Sequence, residues 1–149
     1  MRDSKIGSYG VLAILLITFI KWNAIITLAT GKPYEIAILS IICAHSLSRF
    51  SIIFIPYFSI PASDEGLARY AGEPETRGVI GGFLLTSFLI FLLLPFDQAI
   101  LSAVLAILVA GVVGLLANFQ IKGYTGDILG AAQQVSEATV LVYLASSSS

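Results

Sequence analysis

The chain holds one cysteine, one histidine, one methionine and one tryptophan in 149 residues, and only 11% of it is charged. A lone Cys43 excludes an internal disulfide, and no cluster of sulfur and imidazole metal ligands is suggested. Cys43 lies in an apolar run and reads as a small buried residue. The scarcity of charge excludes more. A soluble domain of this size needs far more polar surface than a chain that is 57% hydrophobic, with a mean hydropathy of +0.94, can offer. The class is therefore integral membrane protein. The net charge of -1 decides little, because the placement of charges carries the information and their sum does not. No nucleic-acid partner is expected.

What fills the chain instead is a series of long apolar runs. They predict an all-α, polytopic transmembrane helix bundle in one domain over residues 1–149, with five spans at about 9–29, 36–57, 79–96, 99–119 and 128–144. Arg2 and Lys5 ahead of Val11 to Ile20 imitate a signal peptide, but apolar residues resume beyond Lys21, which favours a full span. Pro95 with Asp97 marks a tight turn after the third span. With the N-terminus inside, Arg2, Lys5, Arg69, Arg77 and Lys122 fall on the cytoplasmic side and Lys32 alone on the other. That bias orients the N-terminus to the cytoplasm.

One segment is too richly polar for a simple turn. Lys122-Gly123-Tyr124-Thr125-Gly126-Asp127-Ile128-Leu129 puts a cation, two glycines, a hydroxyl and a carboxylate at the start of the last helix. At 100° per residue, Asp127, Gly130, Gln134 and Glu137 then share one narrow stripe on that helix. Ionisable groups inside a membrane are costly and usually face a protein interior or a wet cavity, so the stripe predicts a polar cleft entered from the cytoplasmic surface. Asp127 and Glu137 lie about 15 Å apart along the axis and cannot share one metal ion. Backbone N–H groups near Gly123, Thr125 and Gly126 suit a phosphate, Lys122 adds a positive charge, and Asp127 suits Mg²⁺. The plainer alternatives are that Thr125 or Asp127 caps the helix and that Gly126 and Gly130 form a small-residue packing face. Packing is favoured for the glycines alone, and a site is favoured for the whole set.

The second span carries His45, Ser48 and Arg49, with His45 and Arg49 on one face. Arg49, about 9 Å from a helix end expected near Pro56, either snorkels to the interface or reaches an anionic group. For His45 an interhelical hydrogen bond is favoured over catalysis. Lys21 with Trp22 reads as an interfacial anchor. The loop from Phe58 to Gly78, with Asp64, Glu65, Arg69, Glu73, Glu75 and Arg77, reads as solvated surface, and a lid is the weaker alternative.

Three segments together resemble the adenosylcobinamide-GDP ribazoletransferase (cobalamin 5'-phosphate synthase) family: Met1-Arg2-Asp3-Ser4-Lys5-Ile6-Gly7-Ser8-Tyr9-Gly10, Ser48-Arg49-Phe50, and the run from Lys122 through Gln133-Gln134-Val135-Ser136-Glu137. The resemblance implies a multi-pass protein of a prokaryotic inner membrane. It would join alpha-ribazole or its 5'-phosphate to adenosylcobinamide-GDP with release of GMP in a Mg²⁺-assisted phosphoryl transfer. Asp127 and Asp3 would then be the catalytic metal ligands. Arg2, Lys5, Arg49, Lys122, Thr125, Gly126, Gln134 and Glu137 would line the substrate and phosphate site. The family has an additional N-terminal portion with an acidic, glycine-containing motif, so the chain is expected to match the family's larger C-terminal part. A small transporter or channel, or an inactive fragment that needs the missing segment, are the competing readings. Homo-oligomerisation, or assembly with other cobalamin-pathway membrane enzymes, stays open.

Overall fold

A computed structural model of the chain describes residues 7–62 and 75–147. The described part consists of five helices: α1 Ser8–Gly31, α2 Tyr34–Phe58, α3 Thr76–Leu93, α4 Phe96–Ile121 and α5 Gly126–Ser146. Each is long and apolar enough to cross a bilayer, α4 being the most apolar and α5 the least. Short turns at Lys32-Pro33 and Leu94-Pro95 reverse the chain at one end of the bundle. Each proline precedes a helix start, where its missing N–H has no intrahelical partner to lose. The start of α1, the end of α2, the start of α3, the end of α4 and the start of α5 gather at the opposite end, here termed the loop end.

Each expected span matches one helix with ends within three residues, and two prolines show what sets those ends. Phe96, expected to close the third span, opens α4, because Pro95 can cap a helix but not continue one. Conversely α2 runs through Pro56 to Phe58. A proline this close to a helix end forfeits one hydrogen bond in a turn that already frays.

The core is built on small residues. Along α4 the buried positions are Gln98, Ala99, Ser102, Ala106, Ala110 and Ala117, a stripe at three- and four-residue spacing that brings backbones close together. α5, the least apolar helix, is the hub and packs against α1, α2 and α4. Its Val140, Leu141 and Leu144 are fully buried among Leu28, Cys43, Ala44 and Ile90. Large side chains such as Phe19, Leu85, Phe88, Leu115 and Phe119 point outward, the inverse of a soluble bundle and suited to lipid contact.

Candidate functional site

The α4–α5 connection is fixed by backbone contacts. The last residue before the loop proper, Lys122, adopts φ 55° and ψ 33°, turning the chain sharply out of α4. Tyr124 then pairs with the strand-like segment after α2: its N–H donates to the Ile60 carbonyl at 3.0 Å, and the Ala62 N–H donates to the Tyr124 carbonyl at 2.9 Å. Gly123 makes this approach feasible. A Cβ there would lie 2.5 Å from the Ile60 carbonyl oxygen and 2.8 Å from the Ala62 backbone. Gly123→Ala is thus expected to cost about 1–3 kcal/mol by overpacking a rigid backbone contact. Thermal unfolding in detergent measures it, and an unchanged midpoint would contradict the close approach.

Thr125 is the N-cap of α5, its Oγ1 accepting from the Ile128 N–H at 3.4 Å. The capping role and the anion-site role are compatible, since the Gly126 and Asp127 N–H groups in the first turn have no intrahelical acceptor. The packing role expected for Gly126 and Gly130 is not what the structure shows within the described chain. A Cβ at either would meet nothing within 4 Å, so the face they share is open. Asp127 is exposed at the mouth of this face.

Ten residues deeper the stripe ends in an ion cluster. Glu137 is 6% exposed, and its Oε1 lies 2.8 Å from Lys21 Nζ and 3.2 Å from His45 Nδ1. Lys21 also donates to Gln134 Oε1 at 2.6 Å. One carboxylate thereby ties α1, α2 and α5 together. Lys21 is about 20 Å along α1, and Glu137 about 17 Å along α5, from the loop end. Neither is an interfacial residue. Lys21 is therefore no membrane-surface anchor: it is the counter-ion of Glu137, held near mid-bundle because an isolated carboxylate there would be prohibitively costly. Its signal in the sequence is its position well inside an apolar run, matched in depth by an opposite charge on another span. The hydrogen-bonding role favoured for His45 agrees with its contact to Glu137. The imidazole nevertheless remains open, its side chain 58% exposed within the five helices.

Arg49, one turn nearer the loop end than His45, is exposed and makes no ion pair among the described residues. Because α2 continues past Pro56, Arg49 lies about 13 Å from the helix end rather than 9 Å. Lys122 takes a different direction from Asp127. With Tyr57, Ser59, Thr76 and Asn118 it lines a cavity of about 650 Å³ at the loop end. The Ser59 hydroxyl and the Asn118 side-chain oxygen lie 2.7 Å apart in this cavity's wall. The structure thus joins Gln134 and Glu137 through Lys21, places Asp127, Thr125 and Gly126 at the head of the same face, and sets Lys122 in a neighbouring cavity. Arg2, Asp3 and Lys5, and the charged loop residues Asp64, Glu65, Arg69 and Glu73, lie outside the described residues.

No group of three or more His, Cys, Asp or Glu able to hold a metal occurs among the described residues. Mg²⁺ is nonetheless compatible with this arrangement. It commonly takes one or two carboxylates, with phosphate and water completing the shell, and Asp127 is an exposed carboxylate without an ion-pair partner among the described residues.

These features define the class: a multi-pass helical membrane protein with a polar face opening at the loop end. Residues 1–145 match the model of the family described as cobalamin-5-phosphate synthase, and the chain belongs to that family. The chain is 40% identical over 149 residues to an adenosylcobinamide-GDP ribazoletransferase of Shewanella pealeana, covering 97% of this chain and 56% of the relative. It is 34% identical over 145 residues to one of Bradyrhizobium diazoefficiens, covering 97% and 55%. The corresponding protein of Mesorhizobium japonicum is 37% identical over 142 residues, covering 95% and 53%. The chain thus spans about half the length of the curated relatives it matches. No solved structure matches it.

Proposed function

We propose that this chain carries out, or forms a major part of the machinery for, transfer of alpha-ribazole or its 5'-phosphate onto adenosylcobinamide-GDP, in the inner membrane of a prokaryotic cell. The observation that carries this reading is the family match over nearly the whole chain. A polar face that opens at one end only supports it. Beyond Glu137 the inward side of α5 is closed by Val140, Leu141 and Leu144, each fully buried. A transporter would need that path to continue, so a site entered from one side fits better. The Lys and Arg bias supports a cytoplasmic loop end.

In this reading a ribose hydroxyl oxygen attacks the phosphorus bonded to the corrinoid side chain. The bond from that phosphorus to the GMP oxygen breaks, GMP leaves, and the hydroxyl proton passes to solvent. The first-turn N–H groups of Gly126 and Asp127 and the cations Lys122 and Arg49 would hold and neutralise phosphate oxygens. Arg2 and Lys5 would join them from the N-terminal segment. Asp127, with Asp3, would hold Mg²⁺, which when bound offsets phosphate charge during transfer. Gln134 and Glu137 would line the deeper part of the cleft.

The test is product formation from adenosylcobinamide-GDP and alpha-ribazole by the chain in sealed liposomes with Mg²⁺. Activity is expected when substrates are supplied on the side of the loop end. Absence of product from either side, with the chain folded, would count against the reading.

A further inference from the structure

We propose that the side-chain amide of Gln134 recognises the unsubstituted ring nitrogen of the nucleoside substrate's base, and that Lys21 is the residue that positions it. This rests on the transferase reading above and assigns the deep part of the same face to a particular piece of substrate.

The geometry fixes which end of the amide faces outward. An ammonium group only donates, so the Gln134 atom 2.6 Å from Lys21 Nζ is its carbonyl oxygen, and the NH₂ points elsewhere. Lys21 cannot easily release it. The same ammonium is 2.8 Å from Glu137, which is itself in contact with His45, so the cluster is braced from three helices. Gln134 is exposed and stands on the face where Gly126 and Gly130 leave open space. That leaves a positioned N–H donor without a protein acceptor among the described residues, on a face that the five helices leave uncovered.

The open face also suits the shape of the ligand. From Asp127 to Gln134 is seven residues, about 10 Å or two turns along one side of α5, comparable with the length of a nucleoside. The missing side chains at Gly126 and Gly130 leave room for a flat ring along that side. The first-turn N–H groups of α5, which suit a phosphate, lie at the upper end beside Asp127, whereas the Lys21 and Glu137 charges at the lower end are spent on each other. The anionic groups therefore stay at the mouth with Asp127, and the apolar base points inward. A benzimidazole-type base, flat and carrying one ring nitrogen with a free lone pair, supplies the acceptor that the amide lacks.

Equilibrium dialysis of labelled alpha-ribazole against the chain in nanodiscs tests this, beside an analogue whose free ring nitrogen is replaced by C–H. Wild type is expected to favour alpha-ribazole by about ten- to hundredfold, the range for leaving one buried hydrogen-bonding group unmet. Gln134→Leu should bind both compounds alike. Gln134→Glu, which can still pair with Lys21 but presents only acceptors, should fall below wild type for alpha-ribazole. Lys21→Arg should retain the preference. Equal binding by wild type, or discrimination surviving in Gln134→Leu, would overturn the proposal. Binding of adenosylcobinamide-GDP without any binding of alpha-ribazole would sink this inference and leave the transferase reading standing, whereas binding of neither would sink both.

Discussion

Lys21→Met is expected to destabilise the bundle by about 3–5 kcal/mol, because it leaves the buried Glu137 carboxylate with only an imidazole beside it. Methionine fills nearly the same volume, so the loss reports charge rather than packing. Two further variants separate the pair from its members. Glu137→Gln alone leaves Lys21 without its carboxylate but with amide oxygens in reach, and should cost less. The double variant Lys21→Met with Glu137→Gln should recover most of the loss, since removing both charges removes the desolvation problem that made each partner necessary. Unfolding in mixed detergent micelles, followed by circular dichroism, gives the three free energies. Additive single-variant effects would show that the two groups do not interact.

The contrast between Lys21 and the helices that carry it shows what a sequence of this kind exposes. The five spans were legible because a bilayer imposes one rule on every crossing segment: about twenty apolar residues with backbone hydrogen bonds satisfied internally. The stripe from Asp127 to Glu137 was legible for a related reason, since helical periodicity is local and a polar side on an apolar helix stands out. Lys21 was not legible in the same way. Its role depends on which helix lies beside α1, a property of the packed bundle, and beside Trp22 it looks like any residue that anchors a helix at the interface. Gly123 is a parallel case. Its sequence context suggests flexibility, whereas in the fold it is fixed by the backbone of Ile60 and Ala62, which lie more than sixty residues away in the chain. Pro56 misleads in the opposite direction. The apolar run already gave a span to residue 57, but measuring from a helix end near Pro56 places Arg49 too near the surface. In each case the missing information is a tertiary neighbour or a local cost too small to override packing.

Asp127→Asn is expected to lower the proposed transferase activity by roughly a hundredfold or more, in line with removal of one group that stabilises charge in a transition state. The substitution keeps size and shape at an exposed position in the first turn of α5, where the lost charge–dipole attraction costs under about 1 kcal/mol of stability. Folding and chemistry are therefore separable at this site. A metal role makes a second demand that a purely structural one does not. The Mg²⁺ concentration giving half-maximal activity should rise by about ten- to a hundredfold in Asp127→Asn, and Mn²⁺ binding followed by electron paramagnetic resonance should weaken in parallel without any substrate turnover. Asp127→Glu should keep part of both, because it retains a carboxylate with a longer reach. An unaltered Mg²⁺ midpoint in Asp127→Asn would transfer the metal to other carboxylates and leave Asp127 as a helix-terminal charge. Such a result would not disturb the deeper cluster, since Glu137 is about 15 Å further along the axis and is already neutralised by Lys21.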